Sequence, residues 1–66
     1  MIREPSVVGM PLPRALRALE AAGCTRVQVA DTTMGRAQAW PEVRVIRQSR
    51  ERGVPFLVVC RFPQAL

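Results

Sequence analysis

Ten arginines, with no lysine and no histidine, set the side-chain chemistry open to this chain of 66 residues. Without imidazole there is no Ser-His or Cys-His nucleophile pair, and proton transfer near neutral pH loses its usual carrier. The acids Glu4, Glu20, Asp31, Glu42 and Glu51 are scattered. Their spacing sets up no carboxylate pair with divided acid and base roles. Cys24 and Cys60 stand far apart, with no C-x-x-C spacing to hold a metal. No G-x-G-x-x-G and no P-loop is present. The expectation is a protein that is not an enzyme and takes no metal or cofactor. Guanidinium groups remain, and these recognise carboxylates and phosphates through paired hydrogen bonds. Arg44, Arg47, Arg50, Arg52 and Arg61 cluster toward the C-terminal end and, with Trp40, make the candidate interaction surface.

The net charge of +5 has three readings: a solvated face, an anion or nucleic-acid footprint, or a match to an acidic protein or to a second copy. The only aromatic side chains for stacking are Trp40, Phe56 and Phe62, so nucleic-acid binding is expected to be weak and nonspecific. Apolar residues make up 48% of the chain. A domain this small buries only about 60% of the surface its unfolded chain exposes. Part of the apolar surface is therefore expected to go to a partner, with a homo-oligomer built through the sheet as first choice. The longest apolar run, Val54 to Cys60, falls far short of the ~20 residues that cross a bilayer. With no signal peptide expected and two buried free thiols, the expected address is the cytoplasm.

The elements that position these residues are legible as one domain over residues 1–66. Pro11 to Ala22 reads as a helix. Leu12, Ala15, Leu16, Leu19 and Ala22 share one side, and Arg14, Arg17 and Glu20 the other. Pro13 suits the first turn, and Gly23 suits the left-handed residue that ends a helix. Val7 and Val8 are expected to pack near the helix start. Arg26 to Ala30 alternates as a half-buried strand with Val27 and Val29 inward. Asp31 to Pro41 is rich in turn formers, and Trp40 before Pro41 reads first as a lid over the core. Val43 to Gln48 reads as a second strand and Leu57 to Phe62 as a third, joined by a polar turn over Ser49 to Val54. Arg47 and Arg61 are expected to share faces with Val45 and Val59. The third strand is apolar on both faces, as a central strand would be. The predicted fold is α+β: one helix on a small, mainly antiparallel three-stranded sheet.

Three stretches carry a family resemblance. Val7-Val8-Gly9-Met10 is followed by Ala15, Leu19, Ala22 and Gly23. Val45-Ile46-Arg47-Gln48-Ser49 comes next, and then Leu57-Val58-Val59. In order and spacing they resemble the PASTA domain, a βαββ module of bacterial penicillin-binding proteins and serine/threonine kinases. Pro11 stands where that module usually has a capping Ser or Thr, Cys24 replaces a leucine, and Arg50 replaces a proline. The resemblance implies a bacterial, non-catalytic interaction or ligand-binding module that associates with itself or another protein. The alternative is a small arginine-rich nucleic-acid-binding protein.

Overall fold

A computed structural model describes residues 4–63 of the chain. Helix α1 covers Leu12–Ala21. Its entry has no side-chain cap, because Pro11 has no hydroxyl or carboxyl to offer the first N–H groups. A helical bond from the Ala15 N–H to the Pro11 carbonyl, 3.0 Å, starts the ladder instead. The exit is fully bonded. Gly23 takes φ +94°, its N–H reaches the Glu20 carbonyl at 2.9 Å, and the Cys24 N–H reaches the Leu19 carbonyl at 2.9 Å. This pair of bonds is the Schellman closure, which needs a residue free to adopt the left-handed conformation.

Three strands follow: β1 Gln28–Asp31, β2 Glu42–Glu51 and β3 Val54–Phe62, in the sheet order β1-β3-β2. β2 and β3 pair antiparallel, while β1 runs parallel to β3. The sheet is therefore mixed, and β3 is the central strand that its two-sided apolar run implied. Both predicted hairpin strands extend further than their apolar cores. Ser49, Arg50 and Glu51 pair with Phe56, Pro55 and Val54, so the turn shrinks to Arg52-Gly53. Both turn residues have positive φ, +54° and +80°, which matches the right-handed twist of the flanking strands. All three strands come after the helix. Before it, the described residues form no strand, and their backbone meets β2 through a bridge at Pro11–Arg44 and bonds between Val45 and the Gly9 and Met10 backbone.

The core lies between α1 and one face of the sheet. Val7, Ala15, Leu19, Val45, Leu57 and Val59 are buried there, with Met10, Leu12, Ala18, Cys24, Val27 and Val43 packed around them. Three apolar residues expected inside are not. Val8 is 53% exposed, because it stands at the tip of the turn that the Met10 N–H closes on the Val7 carbonyl at 3.1 Å. Leu16 lies on the flank of the helix beside Cys24 and Val27, and Ala18 packs inward in its place. Val29 faces the core side but stands on the edge strand, beyond the reach of a helix of ten residues.

The chain leaves β1 and enters β2 at the same end of the sheet. Asp31 stands opposite Val59, and Glu42 opposite Phe62. Residues 32–41 must cross that end, and they do so through a 3₁₀ helix at Gly35–Ala39. Trp40 follows this helix at 40% exposure and belongs to no part of the core, so it is not the lid expected of it. Arg61 donates through its Nη1 to the Trp40 carbonyl, which fastens the crossing segment to β3.

Candidate interaction surface

Alternation along β3 sends Leu57 and Val59 to the helix and sends Phe56, Val58, Cys60 and Phe62 to the opposite face. Across the register, Ala30 of β1 lies beside Val58 on that second face, and Arg44 of β2 lies beside Cys60. Helix α1 lies on the other side, and the crossing segment reaches this face at one end, where the Thr33 hydroxyl donates to Cys60 Sγ at 3.8 Å and the 3₁₀ helix packs against β3. Phe62 is 38% exposed, and Phe56, Val58 and Cys60 are half-buried. The result is an apolar row down the central strand, bordered by charge on β2.

A β-bulge shapes that border. The register slips between Val45 and Arg47, so that Ile46 and Arg47 together oppose Val58. The extra residue reverses the phase of everything after it. Val45 faces the helix with Val59. Arg47 pairs with Val58 and joins the open face, rather than the face of Val45 as a regular strand would place it. Ile46, 47% exposed, is the extra residue itself. Gln48, three positions beyond Val45, returns to the helix side opposite Leu57.

That return gives Gln48 a task. Its Oε1 accepts the Val7 N–H at 2.8 Å, and its Nε2 donates to the Pro5 carbonyl at 2.8 Å and to the Glu4 carboxylate. The amide stands in for a strand that the lead-in does not form, and it satisfies the backbone N–H of a fully buried residue. Arg50 completes the latch with its Nε 2.9 Å from Glu4 Oε1. The Gln-Ser step of the sequence had marked this position without a role, because nothing local to β2 reveals a partner more than forty residues away.

The five hairpin arginines do not share one surface. Arg44 and Arg47 belong to the open face, while Arg50 and Arg61 fall on the helix side. Arg52 sits in the turn. Three of the five are committed within the fold. Arg44 lies 3.2 Å from Glu42 Oε1 and donates to the Gly9 carbonyl at 2.8 Å, so it clamps the turn before the helix. The Glu42 contact is a charge pair without hydrogen-bond alignment, since that buried oxygen receives no bond. Arg50 holds Glu4, and Arg61 holds Asp31 at 2.8 Å. Among the described residues, only Arg47 and Arg52 of the five make no ion pair.

Asp31 and Thr33 form a second polar station that the sequence showed only as turn formers. The Thr33 N–H donates to Asp31 Oδ1 at 2.9 Å, closing an Asx turn at the end of β1. The buried Thr33 hydroxyl accepts the Arg61 N–H at 2.8 Å and continues the β3 ladder after β1 has ended. The Thr33 side chain and N–H beside it, followed by Arg61, hold the Asp31 carboxyl down to a pKa of about 2. An Asp-x-Thr spacing after a strand was the available signal.

Cys24 and Cys60 are free and half-buried. Cys24 packs on the core side and Cys60 faces the open side, so the sheet itself stands between them. Among the described residues no helix is long and apolar enough to cross a membrane, and no three His, Cys, Asp or Glu side chains gather as metal ligands. The class defined by these features is a small α+β domain with one α-helix packed on a mixed three-stranded sheet. No family model, no curated protein and no solved structure matches the chain.

Proposed function

We propose that this protein is a non-catalytic interaction module of PASTA type that works through the open face of its sheet, with a second copy of the chain as its first partner. The observation that carries this reading is the half-exposed apolar row Phe56, Val58, Cys60 and Phe62 on the side of the central strand away from α1, with Ile46 beside it. The family relationship itself rests on the three sequence stretches. It is supported by the place of Gln48, whose amide gives the Val-Ile-x-Gln-Ser stretch a physical purpose.

The dimensions set the strength. A strand of nine residues at ~3.3 Å each is about 30 Å long, and three strands at ~4.8 Å spacing are about 14 Å wide. A face of that size lies at the low end of specific interfaces, which bury about 800 Å² per partner. Association in the micromolar range is the expectation. Salt distinguishes the reading from its rival. Two copies at +5 repel, so self-association strengthens as salt screens the charge. Binding to nucleic acid weakens with salt as counterions are released. The nucleic-acid reading stands second because Arg44, Arg50 and Arg61 are neutralised within the fold. A reducing cytoplasmic address suits the two separated thiols and is part of the proposal.

Sedimentation velocity across the micromolar range tests it. The expected species is twice 7.3 kDa, reduced to 7.3 kDa by Val58→Asp, with the dimer fraction rising with salt. A wild-type monomer at every concentration overturns the reading.

A further inference from the structure

A second feature lies at the turn end of the sheet, where the connector from α1 enters beside the hairpin tip. Thr25, Arg26, Val27 and Gln28 form one wall of an open groove of about 820 Å³, Glu51 and Arg52 form the other, and Val54 of β3 runs between them. Arg26 and Arg52 therefore border the same space from two different elements. Among the described residues neither makes an ion pair or a side-chain hydrogen bond. Glu51 is the single acid on the lining, so the groove carries an excess of positive charge. An adjoining groove, bordered by Arg26, Arg50 and Cys24, continues it toward the helix end, with Arg50 held by Glu4.

Arg52 supplies an independent observation. It is the one non-glycine residue of the described chain with positive φ, at +54°. That conformation is costly for a side chain with a Cβ, and Asn, Asp or Gly is the usual occupant at this turn position. Among the described residues no ion pair engages its guanidinium. A strained backbone that keeps an unpaired guanidinium at a groove is the signature of a side chain directed at something outside the fold.

We propose that this groove is an oxyanion site in which Arg26 and Arg52 together grip a phosphate group. Two guanidinium groups on different elements offer two planar forks, which can hold the oxygens of one phosphate from two sides. Thr25 and Gln28 add neutral donors on the same lining. The ligand is a phosphate ester, either a free small molecule or the backbone of a nucleic acid. The site uses no part of the partner reading above, since its recognition is electrostatic and its residues lie beyond the apolar row.

The test is a titration of ¹⁵N-labelled protein at low salt with inorganic pyrophosphate, and separately with a short single-stranded oligonucleotide. The expected result is movement confined to the amides of Thr25–Gln28 and Glu51–Val54. Whichever probe saturates at the lower phosphate concentration identifies the source. Arg52→Gly is expected to weaken binding about fivefold or more, the size of one exposed charge-assisted contact, while the melting temperature stays level or rises because the turn is relieved of strain. Arg17→Gln, which removes the same charge from the exposed helix face, is the control and is expected to change binding less than about twofold. Equal losses for the two variants, shifts spread over Arg14, Arg17 and Arg36, or no shift with either probe would overturn the proposal.

Discussion

Replacing Gln48 by alanine removes the latch that holds the lead-in to β2. Three hydrogen bonds disappear, to the Val7 N–H, the Pro5 carbonyl and the Glu4 carboxylate. They are not equal. Val7 is fully buried, and its N–H has Gln48 Oε1 as its partner, so the substitution strands a donor. A stranded buried donor costs about 1–3 kcal/mol. Pro5 and Glu4 are only half-buried, and water can replace those bonds at small cost. The expected loss is about 2 kcal/mol, most of it from the Val7 N–H. In a domain of this size each kcal/mol lowers the melting temperature by about 4–8 °C, so Gln48→Ala should melt about 8–16 °C below wild type. Thermal unfolding followed by circular dichroism reads this directly. Ser49→Ala, one residue along on the exposed side, serves as the control and should lie within about 0.5 kcal/mol of wild type. Gln48→Glu sharpens the argument. It keeps the acceptor for Val7, loses the donor for Pro5, and sets a second carboxylate against Glu4, so its deficit should shrink as acid protonates one of the two. Equal melting of Gln48→Ala and Ser49→Ala would refute the latch.

Two further outcomes follow from the packing and from the Asx turn. Leu19→Ala empties a fully buried site between helix and sheet and should cost about 2–5 kcal/mol, measured by urea unfolding, which leaves a small domain largely unfolded at room temperature. The Asp31 pKa is lowered in the fold from 3.8 to about 2, so its ionised form stabilises the protein above pH 3.8, and that contribution is lost as pH falls through about 2. Asp31→Asn should therefore flatten the stability-against-pH curve between those limits, and an unchanged curve would remove the Asx turn from the account.

The helix and its closure were legible because their signals are local: apolar residues at helical spacing, Pro13 near the start and Gly23 at the stop. β3 was legible as the central strand because Leu57, Val58 and Val59 are apolar without alternation. The direction of β1 was not legible, since a short alternating strand pairs either way and the choice depends on where residues 32–41 take the chain. Nor was the phase of β2. The bulge at Ile46 leaves no mark in composition, yet it moves Arg47 to the open face and Gln48 to the helix side. The arginine cluster looked like one surface because sequence proximity hides alternation, and because the partners Glu4 and Asp31 lie far away along the chain. Of the candidate residues, Arg44 and Arg47 border the open face, Arg52 lines the groove, Arg50 and Arg61 serve the fold, and Trp40 stands apart beyond the 3₁₀ helix.

The two thiols give the most direct test of the central claim, that the open face of the sheet is the docking surface. Cys60 lies on that face and Cys24 lies behind the sheet, so one molecule carries both probe and control. Modification rates of each thiol should be measured by mass spectrometry as the protein is diluted through the micromolar range. If copies dock through the open face, the Cys60 rate falls as protein concentration rises, while the Cys24 rate stays constant. Rates for both that do not depend on concentration, or protection of Cys24 instead of Cys60, would contradict the account.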